Sequence, residues 1–455
     1  MARRIVFAGL LAGLGLLCPR ATATQTPAAS PAALGTLSLE QAVALAHQQR
    51  PDFRNYALDE QTAAQRTRQE QAAFRPQLNA SADVRGNIQR QVIVLPGFAP
   101  GQGERALRSG QPYQLGAGLT LTQKLYDPTR AALLTQRRLD EQVAANATAQ
   151  ASRDLTIAVS SAYYAALLNQ AKLEFTGQDV IRSESAYRDA QTRFANRLAL
   201  KTEVGQAKYN LDNARLAHER AAADLRMAQV KLLSEVGDAT PTQSTVDLSQ
   251  SLAQLTGELA PTLSVSDSVA RARLEYRAEQ LQEQLAQAQE AQNRRRARPT
   301  ADLVGYFGTQ AFRNTFDFYD VNKPYYGYSY VALQLNLPLL DGGNRRAQVT
   351  QNHLAAERSR NRQADLRRTV GFEVTDATTR LDLSRRAVAL QQQNVAVADE
   401  ALAMTEVRRR NGLVLEQEVV SARTTLSQAR RDYLQALNDW LVDRLEYQRV
   451  TGQLK

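Results

Sequence analysis

The chain has 455 residues, 43% of them hydrophobic, which exceeds one ordinary globular domain and is enough to bury a core. Its 56 Lys and Arg against 46 Asp and Glu give a formal charge of +10. The cations alternate with acids along helical stretches, as in Arg137-Arg138-Leu139-Asp140-Glu141; that is a solvated helix face and argues against a nucleic-acid binder.

Residues 1–23 have the form of a secretory signal. Arg3 and Arg4 make the basic start, Ile5 to Leu17 the apolar stretch, and Ala21-Thr22-Ala23 the cleavage site. The twin arginine lacks the rest of a Tat motif. Cys18, the only cysteine, is preceded by Leu17 rather than the small residue of a lipoprotein site. It is therefore expected to leave with the signal, and no disulfide or thiolate metal site is expected. Residues 24–35 read as a flexible leader. After residue 23 no apolar run of about 18 residues occurs, so any membrane crossing must use strands.

From there the same plan is written twice, over residues 36–236 and 262–455, with 237–261 as connector. Leu37-Ser38-Leu39 matches Leu263-Ser264-Val265, each opening a short helix with Ser38 or Ser264 as N-cap. Arg75-Pro76 matches Arg298-Pro299. Leu119, Leu121 and Asp127 match Leu333, Leu335 and Asp341, at a constant offset of about 214–215 residues from Asp127 onward.

The strands come next. Leu115, Ala117, Leu119 and Leu121 alternate with Gln114, Gly116, Gly118, Thr120 and Thr122. Val331, Leu333, Leu335 and Leu337 alternate in the same way with Tyr330, Ala332, Gln334 and Asn336. Upstream partners are expected at 77–90, with Leu78, Ala80, Ala82 and Val84 on one face, and at about 301–309. Two hairpins with one apolar face are the pattern of a transmembrane β-barrel. Their loops are a Gly- and Pro-rich one at 92–112 and an aromatic one at 310–327. The aromatic loop, together with Tyr328 and Tyr330, is a candidate interfacial girdle. Four strands cannot close a barrel, and open edges in lipid cost several kcal/mol per unpaired group, so the chain must oligomerise. Geometry permits two, three or four copies.

Long helices follow each hairpin. Proline is absent between Pro128 and Pro241 and after Pro338, so helices can run from near Asp127 to Asn196 and from near Asp341 to Asn411. At 1.5 Å per residue each is a rod of roughly 100 Å. The return helices carry a heptad seam, Leu211, Ala214, His218, Ala221, Leu225, Ala228 and Leu232, repeated as Leu426, Ala429, Tyr433, Ala436, Trp440, Asp443 and Tyr447.

Nothing in the pattern points to chemistry. His47, His218 and His353 are isolated, and no His-x-x-x-His pair occurs. Gly342-Gly343 and Gly97, Gly101 and Gly103 form no phosphate cradle, and no Gly-x-Ser-x-Gly elbow is present. Neither enzyme nor cofactor is expected. A soluble periplasmic coiled-coil adaptor is the alternative, and the amphipathic strands favour the membrane reading.

These motifs in this order resemble the TolC family of outer-membrane efflux proteins over about 37–454. They include Leu39-Glu40-Gln41-Ala42, Arg75-Pro76-Gln77-Leu78, Leu119-Thr120-Leu121-Thr122-Gln123, Ser161-Ala162-Tyr163-Tyr164, Arg193-Phe194, Leu337-Pro338-Leu339-Leu340-Asp341-Gly342-Gly343 and Asn411-Gly412-Leu413. The resemblance implies a mainly α-helical homotrimer, with a twelve-strand barrel in the outer membrane and a twelve-helix tunnel across the periplasm. It also implies a periplasmic adaptor and an inner-membrane transporter as partners.

The turns Asn196-Arg197-Leu198 and Asn411-Gly412-Leu413 would then lie at the tunnel tip, for adaptor contact. Arg197 stands where the family often has glycine, which leaves Asn196 to take the left-handed position. The resemblance also implies a pore acid at Glu418, with Glu203 its repeat mate; Ser421 replaces a second acid. Three acids around a narrow pore would make a cation-selective ring. Arg408, Arg409 and Arg410 precede the second tip, and pairing of Glu203 or Glu418 with one of them would hold the tip closed.

Overall fold

The computed structural model describes residues 36–95, 105–242, 246–249, 267–320 and 322–454. The expected signal, the leader, Cys18, the Ser264 cap and much of the connector lie outside these residues. No helix among the described residues is long and apolar enough to cross a membrane.

The opening helix is in fact two. α1 (Leu39–Gln49) and α2 (Pro51–Ala72) meet at Arg50. Pro51 has no N–H to donate and pushes Arg50 into an extended backbone, φ −69° and ψ 119°. Ser38 is the expected N-cap. Its hydroxyl accepts the Gln41 N–H at 3.2 Å, while the Gln41 side chain accepts the Ser38 N–H at 3.0 Å.

β1 (Gln77–Gly86) follows, then a small ribbon of β2 (Val92–Leu95) and β3 (Arg105–Arg108), then β4 (Tyr113–Tyr126). The stretch expected as a plain Gly- and Pro-rich loop therefore carries its own two-strand ribbon. α3 (Arg130–Ala195) and α4 (Lys201–Val236) form the first long hairpin. The second half brings α5 (Asp267–Ala272), α6 (Leu274–Arg295), β5 (Thr300–Arg313), β6 (Tyr326–Asn336), α7 (Asn344–Arg410) and α8 (Glu416–Val450). At 66 and 67 residues, α3 and α7 are each about 100 Å long.

The main sheet is antiparallel in the order β1-β4-β5-β6. Its register sets Leu78 opposite Leu121 and Val84 opposite Leu115, then Leu121 opposite Gly305 and Leu303 opposite Leu333. One face thus collects the sheet's leucines and, apart from Val304, its valines; those of β6 are exposed, with Val331 79% and Leu335 69% accessible. The register also corrects the aromatic girdle. β5 runs on to Arg313 and β6 begins at Tyr326, so Phe312, Tyr326, Tyr328 and Tyr330 share parity with Tyr306, Gln310 and Asp83. These four rings belong to the polar face and not to the apolar one.

β4 and β6 each hand over to a long helix through an aspartate. Asp127 accepts the N–H and the hydroxyl of Thr129, at 2.8 and 2.7 Å. Asp341 accepts the N–H groups of Gly343 and Arg345, both at 3.1 Å. These bonds satisfy donors that a helix start leaves free, and they hold the Asp341 carboxyl below its ordinary pKa, the Arg345 N–H first.

The hairpins pack along the expected seam: Leu211, Ala221, Leu232, Leu426, Trp440 and Tyr447 are buried. His218 is accommodated by the Thr176 hydroxyl, 3.2 Å from its Nδ1. The largest core gathers α1, α3, α4 and α8 around Val159, Tyr163, Leu233 and Leu441. There the Tyr163 hydroxyl donates to the Leu37 carbonyl at 3.1 Å. Gly237 closes α4 with φ +93°, and a Cβ there would lie 3.0–3.1 Å from the backbone of Gln49 and Arg50.

Candidate functional site at the helix tips

The far end of the hairpins is built from two turns of one design. α3 ends with Leu198 N–H bonding the Arg193 carbonyl at 2.7 Å and Arg197 N–H bonding Phe194 at 2.9 Å. α7 ends with Leu413 N–H on Arg408 and Gly412 N–H on Arg409, each at 2.9 Å. Both are Schellman closures, in which the residue after the C-cap must be left-handed. Gly412 takes that position at φ +74°. In the first turn it is Arg197, at φ +60°, and not Asn196, which stays at φ −85° as the C-cap. The closure fixes the position by its hydrogen-bond pattern, so the chain accepts a strained arginine, at a cost of about 1–2 kcal/mol.

Glu203 and Glu418 fall in the first turns of α4 and α8, where the helix dipole favours anions. Glu418 is exposed and Glu203 half-buried. Leu198, Leu200, Leu413 and Leu415 surround the turns, 68–74% exposed.

Of the three arginines, Arg408 and Arg410 face solvent and Arg409 does not. Arg409 reaches across to α3, donating to Asp189 at 2.8 Å, and to Glu416 on α8 at 3.0 Å. Within this chain the carboxylates that Arg409 meets are Asp189 and Glu416, where Glu203 or Glu418 was expected. Burial opposes the charge of Arg409, but the Asp189 hydrogen bond and the nearby carboxylates outweigh it and raise its pKa.

A second clasp lies further along the rods. The Arg430 guanidinium sits over the Phe175 ring at 4.9 Å, beside Asp179 at 3.6 Å and Asp399 at 3.9 Å. Arg182 reaches Asp399 at 3.5 Å. Burial, then repulsion from Arg182, lowers the Arg430 pKa. Both clasps tie the first hairpin to the second. Asp189, Glu416, Asp179, Arg182, Asp399 and Arg430 were not singled out from sequence. The available signal was Arg430 lying between seam residues Ala429 and Tyr433, where an arginine needs a partner.

The chain matches the outer membrane efflux protein family model over residues 42–238 and 265–453. It belongs to that family. Over 417 residues it is 23% identical to outer membrane protein TolC of Escherichia coli (strain K12), covering 89% of this chain and 80% of TolC. Among solved structures it is similar to the open-state MtrE outer membrane channel of Neisseria gonorrhoeae, with TM-score 0.70, 16% identity, and 91% and 88% of the two chains covered. It is similar also to VceC of Vibrio cholerae, with TM-score 0.67, 17% identity, and 91% and 96% covered. As an outer membrane efflux protein the chain is a channel of the bacterial outer membrane and not an enzyme. Membership implies partnership in a tripartite efflux system and sets aside the soluble-adaptor alternative.

Proposed function

We propose that the chain works as a homotrimer, with a closed barrel of three four-strand sheets in the outer membrane and a helical tunnel beneath it. The carrying observation is the sheet itself: β1 and β6 are its edges, and one face is a field of exposed leucine and valine. In lipid that sheet is tolerable only when each edge pairs with a neighbouring copy. A head-to-tail contact of β1 on β6 closes as a ring. The helices support the same arrangement. Leu383, Leu390, Val397 and Met404 recur every seven residues on α7 and are 56–68% exposed, a heptad seam awaiting a helix of the next subunit. Two structural repeats, 36–236 and 262–455 joined by 237–261, supply the two hairpins of each subunit.

The tips at Asn196-Arg197-Leu198 and Asn411-Gly412-Leu413 dock the periplasmic adaptor through their exposed leucines, and the inner-membrane transporter delivers cargo through it. Glu418, with Glu203, lines the tip as a ring of acids that selects cations. Arg409 holds each tip closed through Asp189 and Glu416; Arg408 and Arg410 add positive charge around it. Single-channel recording in planar bilayers tests the ring. Glu418→Gln should lower cation over anion permeability, and unchanged selectivity would remove Glu418 from the pore.

A further inference from the structure

The polar face of the sheet holds one organised group of side chains that passive passage does not require. Tyr306 and Tyr330 are register partners, and Tyr328 stands one polar-face position along β6 from Tyr330. Their rings stack: Tyr306 lies 4.8 Å from Tyr328 at 26° and 5.7 Å from Tyr330 at 15°. Glycines make the space. A Cβ at either Gly118 or Gly308 would lie 2.4 Å from the Tyr306 hydroxyl, so the ring rests on bare backbone. Gly116 does the same for a carboxylate, since a Cβ there would be 2.6 Å from Asp83 Oδ1. Gly116 and Gly118 are two residues apart on this face, so the carboxylate and the tyrosine hydroxyl lie over adjacent polar-face rows.

Charge points the same way. Across the four polar-face rows from Asp83 to Gln77, Asp83 is the sole charged group; Arg85 stands one row further out. Tyr328 and Tyr330 remain 42% and 49% exposed, so their rings are open to a ligand.

We propose that Tyr306, Tyr328, Tyr330 and Asp83 form an organic-cation site on the barrel wall, repeated in each subunit, for a quaternary or protonated ammonium carried on an aromatic body. The ring faces attract the cation and the carboxylate orients it, while the glycine floor keeps the stack flat against the sheet. The site rests on the polar face of the sheet lining the lumen.

The assembled full-length channel in detergent is titrated by calorimetry with benzyltrimethylammonium and, separately, with benzenesulfonate. The wild type should bind the cation and leave the sulfonate unbound. Tyr328→Leu and Asp83→Asn should each weaken the cation by about 3- to 30-fold. No binding of the cation, equal binding of the sulfonate, or unchanged affinity in both weakened variants would overturn the site. Labelling in lipid vesicles with a charged thiol reagent, in a Cys18→Ala background, separates the two readings. Ser81→Cys should react and Leu119→Cys should not. A reactive Ser81→Cys without cation binding defeats the site alone, whereas an unreactive Ser81→Cys defeats the lumen as well.

Discussion

Replacing Arg409 with glutamine should loosen the tip. The arginine side chain is 16% exposed, and its two carboxylates, Asp189 and Glu416, are 44% and 33% exposed. A buried charged hydrogen bond is worth about 1.5–3 kcal/mol, and an exposed ion pair about 0.2–1. With half-open carboxylates, solvent screening brings each bond near ~0.5–1 kcal/mol, or ~1–2 for the clasp. At ~1.4 kcal/mol per factor of ten, the open population of the tip should rise by about 5- to 30-fold. Single-channel recording reads this as open probability. Asp189→Asn should reproduce about half the effect, and the Arg409→Gln/Asp189→Asn double variant should add little to Arg409→Gln. Arg408→Gln and Arg410→Gln, at exposed positions, should leave open probability unchanged. Open probability unchanged in Arg409→Gln, or raised equally in all three arginine variants, would refute the clasp.

Three further outcomes follow from the same geometry. Leu333→Arg should impair membrane assembly by about 2–4 kcal/mol while Gln334→Arg, one residue away on the polar face, should assemble normally; heat-modifiable mobility on gels reads the difference. Gly237→Ala places a Cβ against Gln49 and Arg50 at positive φ, and should lower thermal stability by about 1–3 kcal/mol, measured by circular dichroism in detergent. The depressed pKa of Asp341 means that its cap at the start of α7 is intact above the ordinary carboxylate pKa and is lost as pH falls through the lower, folded value. Protection factors at residues 343–347, taken relative to intrinsic exchange at each pH, should therefore fall only in acid, and Asp341→Asn should flatten that dependence.

Much of the scaffold was legible because it follows from one-dimensional rules. Absence of proline set the extent of α3 and α7, and alternation set the faces of β4 and β6. The seam at Leu211 and Leu426 follows from spacing alone. What escaped depends on contacts far apart in the chain. Asp189 and Arg409 are 220 positions apart, so no local spacing singles out Asp189, Glu416 or Arg430. Arg197 was misassigned because residue propensity favours asparagine in the left-handed region, whereas the closing hydrogen bonds select a position and not a residue type. Phe312, Tyr326 and Tyr328 were placed with a membrane girdle by composition, until the register counted them onto the face that alternation had already given Tyr330.

The number of chains in the detergent-solubilised particle, measured by native mass spectrometry after removal of the signal, bears most directly on the barrel. Three chains per particle is the expected result. A monodisperse single chain, stable in buffer without detergent, would contradict a sheet whose edges and apolar face exist to be shared in lipid.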